Sequence, residues 1–299
     1  MDGYKKIIKS QKLRMQILNA LSFVPDKWMI KLQYYIKLKR RLDLKNPKRY
    51  TEKLQWLKLN YRNPVMVQCV DKYLVRDYIR TQGLSRILTE LYGVFDSVEE
   101  IDFDRLPPQF IAKTTNGSGT NIICRDRAEF DETEAKAKLR EYMDRPQINA
   151  GREWAYNGVT KRIVVEELLI DKENPQGGIN DYKFICFDGT IACVVVDVDR
   201  YTDHKRNFYS EEWHRIDVES DHPNFDYDIE PPVCYDEMLE IAKKLSNGFP
   251  AVRVDLYCVN GKVYFGEMTF YPWSGYVQYT PDSFDYELGK MFVLAKRGD

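Results

Sequence analysis

The chain has 299 residues, of which 43% are hydrophobic and 30% charged, with a formal net charge of −1 at pH 7. That describes a soluble globular protein able to bury one large core or two ordinary ones. No stretch approaches the roughly 18–20 apolar residues of a membrane span, and MDGYKKIIKSQKLRMQ at the N-terminus lacks the apolar core of a signal peptide.

Residues 1–49 carry fourteen Lys/Arg against three acids, so the rest of the chain is acidic. PDKWMIKLQYYIKLKRRL has apolar residues at helical spacing with basic residues around them. It reads either as an ordinary surface helix or as one drawn to an anionic membrane surface or a partner. No recognition motif accompanies the charge, so nucleic acid is not expected. NPKRYTEKLQWLKLNY closes a mostly helical region 1–60, with Thr51 as a possible N-cap. VMVQCVDKYLVRDYIRTQG reads as one helix ended by Gly83, and ILTELYGVFDSVEEI as a short strand and a turn. From Pro107 the character changes: QFIAKTT is a strand, NGSGTN a glycine-rich loop, IICRD a returning strand, and RAEFDETEAKAKLREYMDR a charged helix. RIVVEELLI is a strand, NDYKFICFDGTIACVVVDVDRY a hairpin turning at Asp188-Gly189, and YDEMLEIAKKLSNGF a helix stopped near Gly248. The order is α+β, with antiparallel hairpins prominent. Six scattered cysteines without a C-x-x-C, beside only three histidines, read as free thiols in a reducing cytosol.

Four stretches could carry chemistry. Lys113 precedes a loop holding Gly117, Ser118 and Gly119; such a loop folds over phosphates or is a plain hairpin turn. Glu166 and Glu167 end an apolar strand, either at a solvated turn or beside a purine. Lys183 lies inside a strand, where a lysine snorkels to the rim or faces an anion. RVDLYCVNGKVYFGEMTF, residues 253–270, is a hairpin with Arg253, Asp255 and Glu267 among apolar residues. A plain two-residue turn pairing Val259 with Lys262 would put Glu267 on the face opposite Asp255. A three-residue loop or a bulge would make the two acids share a face. Facing carboxylates repel unless they share a proton or a cation; otherwise one sits exposed at the rim and the other pairs with Arg253.

Taken in order, a strand lysine before a glycine-rich loop, a strand ending in Glu, D-Y-K, then R-x-D and E-x-[NT] resemble the ATP-grasp ligases. The last elements are Arg253, Asp255, Glu267, Thr269, Pro272 and Gly275. NPKRYTEKLQWLKL, DKYLVRDYI, DYKFICFDG, RVDLY and FGEMTF resemble the TupA-like branch, associated with teichuronopeptide and other surface-polysaccharide biosynthesis. The resemblance implies an ATP-grasp fold, two α+β subdomains gripping ATP, preceded by a basic helical region. It divides the chain into 1–60, 61–106 and 107–299. It implies ATP and Mg2+ as cofactors and an amide-forming reaction through an acyl phosphate. The acceptor would be a carboxylate and amine pair, glycan-linked, such as a uronic acid. A phosphotransferase or a scaffold without turnover is the alternative. By position, Lys113 would meet phosphate beneath a loop of Asn116, Gly117, Ser118, Gly119 and Thr120. Glu166, Glu167 and the backbone near Leu169 would take adenine, and Glu173 or Asp171 the ribose. Lys183 and Arg253 would be catalytic, and Asp255, Glu267 and Thr269 would hold metal, Thr269 standing where the family usually has Asn. Lys72 or Arg76 would add a phosphate contact. The implied location is the cytoplasm, with membrane or glycosyltransferase contact through the basic N-terminus.

Overall fold

The computed structural model describes residues 10–115, 119–147, 149–172, 178–200 and 202–294. Three helices open it: α1 (Gln11–Ala20), α2 (Asp26–Leu38) and α3 (Tyr50–Asn60). The start of α3 is capped by Glu52, whose carboxylate accepts from the Lys48 and Arg49 amides at 2.9 and 3.1 Å. Thr51 is therefore not the cap. It lies one residue inside the helix, and its hydroxyl donates to buried Asp285.

The single helix expected after residue 65 is two short ones, α4 (Val65–Val70) and α5 (Val75–Thr81). Asp71 makes the break: its Oδ1 accepts from the Tyr73 and Leu74 amides at 2.8 and 3.0 Å. A short carboxylate that bonds amides two and three residues on competes with helix continuation. The break delivers Lys72 to the interior cleft described below.

Two antiparallel sheets follow. The first has the order β1-β4-β2-β3, from β1 (Leu91–Phe95), β2 (Phe110–Thr114), β3 (Ile122–Cys124) and β4 (Ile163–Glu166). Helix α6 (Glu132–Asp144) covers it, with Ala135 and Leu139 packed among Phe110, Ala112 and Val165. The second has the order β10-β9-β5-β6-β7-β8. Its strands are β5 (Asp181–Phe187), β6 (Thr190–Val198), β7 (Lys205–Tyr209), β8 (Arg215–Ile216), β9 (Val252–Val259) and β10 (Lys262–Thr269). Helix α7 (Tyr235–Ser246) lies on one face of it through Tyr235, Met238, Ile241, Ala242 and Leu245, a helical stripe. Burying each large apolar side chain of that stripe contributes about 1.5–3 kcal/mol. Helix α8 (Ser283–Met291) closes the core against α3.

Strand alternation makes the sheet's other face charged. Tyr182, Phe184, Val254 and Leu256 go to the core, which leaves Asp181, Lys183, Arg253 and Asp255 on the opposite side. The hairpin β9–β10 turns in two residues, since Lys262 pairs with Val259. Asn260 and Gly261 take φ of 52° and 74°, as a tight hairpin turn requires. The three-residue loop is thus not what aligns the acids. Phe265 pairs with Leu256 and Glu267 with Asp255, so Gly266 is the extra residue of a bulge. The bulge alone puts the two carboxylates on one face.

The cysteine reading needs correction. Cys234, just before α7, is disulfide-bonded to Cys258 on β9, with Cα atoms 6.3 Å apart. That lies within bridging range; sequence spacing does not reveal it, because the contact arises only when α7 docks on the sheet. Cys69, Cys124, Cys186 and Cys193 are buried free thiols.

A side chain at Gly266 has no room: its Cβ would stand 2.9 Å from the Asp255 carbonyl oxygen and 3.0 Å from the Tyr257 ring. Gly266→Ala is expected to lower stability by about 1–3 kcal/mol in denaturant unfolding. A wild-type unfolding midpoint for that variant would contradict the packing described.

Candidate functional site

The charged face of the second sheet looks across a cleft toward the end of the first. Two cavities of about 420 and 510 Å³ share Lys72, Arg253 and Glu267 in their walls and together form the cleft. On the second sheet, Lys183 pairs with Asp255 and Asp255 with Glu267, a row across three neighbouring strands. Arg253 grips Asp255 with two hydrogen bonds, at 2.6 and 2.7 Å, and also donates to Glu267 Oε1 at 2.6 Å. Thr269 Oγ1 donates to the same Glu267 oxygen at 2.8 Å. Within the protein itself, then, the facing carboxylates share a guanidinium.

Lys183 Nζ stands 3.1 Å from Asp255, 3.3 Å from Asp181 and 3.6 Å from Asp197. Asp197 is itself held by Arg206 at 2.5 and 2.9 Å. A buried charge is tolerated only when paired, and each of these is. Burial pushes the Asp255 carboxyl upward against the pull of Arg253 and Lys183. For Glu267, burial works in the same direction, but Arg253, Lys183 and Lys72 outweigh it and bring the group to about 2. Its side chain nevertheless keeps 48% of its surface accessible, because it borders the solvent-filled cleft while walled by protein.

On the first sheet, Lys113 (β2) forms an ion pair with Glu166 at the end of β4. Thr89 Oγ1 donates to the same carboxylate at 2.9 Å, and Arg76 stands 3.5 Å away. Burial opposes ionisation of Glu166, while Lys113, Thr89 and Arg76 favour it, and the net shift is downward. The base of the glycine-rich loop is closed by a 2.9 Å bond between the hydroxyls of Thr114 and Thr120. Gly119 there takes φ of 71°, which favours glycine. Lys72, whose amide reaches Thr115 O at 3.4 Å, lines both cavities. Burial lowers its ammonium against the pull of Glu267.

A family model described as TupA-like ATPgrasp matches residues 52–293. The chain belongs to the TupA-like ATP-grasp family. The α+β ATP-grasp fold expected from the sequence is borne out. Among solved structures, the D-alanine–D-alanine ligase from Helicobacter pylori is 16% identical, with a TM-score of 0.43, over 80% of this chain and 68% of that one. The D-alanine–D-alanine ligase from Bacillus anthracis is 17% identical with a TM-score of 0.38, and the match covers 68% of this chain but 57% of the ligase. D-cycloserine synthetase DcsG is 14% identical, with a TM-score of 0.41, over 77% of this chain and 72% of that one. A search of curated proteins returned no match.

Of the residues the resemblance singles out, the structure brings Lys113, Gly119, Glu166, Lys183, Arg253, Asp255 and Glu267 to the smaller cavity. Thr120 and Thr269 line the larger one. Glu167 faces elsewhere, lining a separate surface hollow with Leu168, and its amide is taken by Glu90 O at 2.9 Å. Leu169 lies in the segment after β4 and lines neither cavity. Asn116, Gly117, Ser118 and Glu173 fall outside the described residues. Asp181 and Asp197 were missed, although charges inside DYKF and VVVDVD break the same alternation that marks the hairpin.

The donor set suits a hard cation. Asp255 and Glu267 offer carboxylate oxygens on one face, and Mg2+ is commonly held by one or two carboxylates with phosphates completing its shell. Among the described residues no group of three His, Cys, Asp or Glu forms a metal cage. If a metal sits here, these two carboxylates would form part of its shell, with phosphate oxygens available to complete it.

Beyond Thr269 the chain makes a tight turn in which Trp273, Ser274 and Gly275 all have positive φ, of 50°, 57° and 65°. Two α3 side chains hold it: Gln55 donates to the Ser274 and Gly275 carbonyls, and Lys58 donates to the Ser274 and Gly151 carbonyls at 2.8 Å. Nothing in the sequence marks Lys58, which looks like one more surface lysine of a charged helix. Burial brings its ammonium down to about 8. Between pH 8 and the unfolded value of 10.5 the folded state binds fewer protons, so stability must rise with pH across that window. Relative to Lys58→Met, the wild type is expected to gain on the order of 2 kcal/mol from pH 8 to 10.5. Parallel urea unfolding curves for the two proteins would check this, and a flat difference would refute it.

Proposed function

We propose that the cleft joins a carboxylate to an amine by first phosphorylating the carboxylate with ATP. The row Lys183–Asp255–Glu267, bridged by Arg253 and facing Lys113 across the cleft, carries this reading. Bound Mg·ATP supplies a transferable γ-phosphoryl group with part of its charge neutralised. Lys113 and Lys72 would meet phosphate oxygens, Lys113 giving up part of its ion pair with Glu166 and Lys72 part of its attraction to Glu267. Arg253 and Lys183 would stabilise charge on the transferred group, held in advance by their carboxylate partners. The substrate carboxylate oxygen bonds to the γ-phosphorus as ADP leaves. The amine then bonds to the carbonyl carbon as phosphate leaves, its proton passing to solvent. With Glu166 still held by Thr89 and Arg76 when Lys113 turns to phosphate, adenine falls to backbone groups after β4 rather than to that carboxylate. Asp255 and Glu267 would hold the metal, with the Thr269 hydroxyl orienting Glu267.

The substrate we assign is a uronic acid, or a related carboxylate, of a bacterial surface polysaccharide, joined to an amino acid or amine in the cytoplasm. The supporting consideration is the family's association with such polymers, together with a larger cavity of about 510 Å³ beside the phosphate end, whose walls mix polar groups such as Gln147 and Asn149 with apolar ones.

Ligand that binds only the native state must raise the melting midpoint. ATP with Mg2+ is expected to raise it for the wild type, more than ATP alone, and Glu267→Gln is expected to lose the metal-dependent part. Incubation with a glucuronic-acid oligosaccharide and an amino-acid mixture should then release phosphate and give an amide by mass spectrometry. A stable phosphorylated acceptor would instead establish a phosphotransferase. No shift at millimolar Mg·ATP would leave a scaffold.

A further inference from the structure

The outer face of α2 has no partner among the described residues. Its inner face is buried through Met29, Ile30, Gln33, Tyr34 and Leu38, as expected of an amphipathic helix. The opposite face should then be polar. Instead it carries Trp28, Leu32 and Tyr35, which are 65%, 50% and 57% exposed, with Ile36 beside them. Phe23, just ahead of the helix, is 80% exposed. Spacings of four and three residues put Trp28, Leu32 and Tyr35 on one stripe. Lysines border it: Lys31 and Lys39 flank the stripe, with the Lys31 ammonium 5.6 Å from the Trp28 ring. Residues 24–49 hold nine Lys/Arg and two Asp, whereas residues 50–299 are strongly acidic.

We propose that this face docks on an anionic lipid bilayer, the stripe entering the headgroup boundary and the lysines meeting lipid phosphates. An aromatic and aliphatic stripe ringed by lysine is what an interfacial helix needs, and Trp and Tyr favour that depth. Charge settles the kind of surface. A basic end on an acidic body is attracted to an anionic membrane while the body is repelled, and this orients the molecule. The inner face of the same helix reaches the cleft: Gln33 Nε2 donates to Ala150 O at 2.8 Å, and Ala150 lines the larger cavity. Docking through α2 therefore sets the larger cavity about one helix diameter, roughly 10–12 Å, from the bilayer surface. The docking face stands apart from the nucleotide reading and is tested without nucleotide.

The test is co-sedimentation of the full chain with vesicles of phosphatidylglycerol and phosphatidylcholine in equal parts, against phosphatidylcholine alone. The wild type is expected to pellet with the anionic vesicles only, and less as salt rises. The triple variant Trp28→Ser, Leu32→Ser, Tyr35→Ser is expected to bind roughly tenfold or more weakly while melting like the wild type. Lys31→Glu with Lys39→Glu, which leaves every apolar group in place, is expected to weaken binding as well and decides the matter if the triple variant fails to fold. No pelleting of the wild type, or wild-type pelleting of both variants, overturns the proposal. So does a concentration-dependent dimer in sedimentation velocity that the triple variant abolishes, which would make the stripe an interface between copies.

Discussion

The constraint on which the site depends is that no charge on the inner face of the six-stranded sheet can be left alone. Asp181, Asp197 and Asp255 are almost wholly buried, and Lys183 and Arg206 are nearly so. Removing one partner of such a set leaves an uncompensated buried charge, a loss typically of about 3–5 kcal/mol. The network is therefore all or nothing. Lys183 is shared among three aspartates and Arg253 between two carboxylates, so the cations are fixed before any substrate arrives. For the reaction proposed above, a site prepared in this way would have little reorganisation left to do as charge develops.

The same pairing explains how much of the site could be read from sequence. Strand parity reveals that Asp255 and Glu267 interrupt an apolar pattern, and the need for a shared cation follows from chemistry. Which of several one-residue insertions restores parity is not readable, because a loop residue or a bulge has the same effect on the face. The structure places it at Gly266, where the backbone oxygen of Asp255 excludes a side chain. Asp181 and Asp197 obey the same rule and were legible in principle. Lys58 was not, since its place is set only by carbonyls ninety and more residues away.

The fold was legible where local signals agree and lost where contact between distant elements decides. The glycine turn of the β9–β10 hairpin, the stripe of α7 and the strand ending at Glu166 all follow from period and punctuation. The break at Asp71 hides inside a pattern that stays helical in its apolar spacing, because a side-chain carboxylate outcompetes one turn of backbone bonding. The Cys234–Cys258 link depends on where α7 lands, a fact of packing rather than of spacing.

That broken helix has a mechanical consequence. Asp71 stands 3.3 Å from Arg162, just before β4, and the Lys72 amide reaches the Thr115 carbonyl at the end of β2. Yet α4 and α5, on either side, are packed into the core of the six-stranded sheet. The two-residue joint at 71–72 is thus fastened to one sheet while its flanks belong to the other. A tilt of the four-stranded sheet would act on Lys72 through these two contacts. The width of the cleft and the reach of Lys72 would then change together, one degree of freedom instead of two.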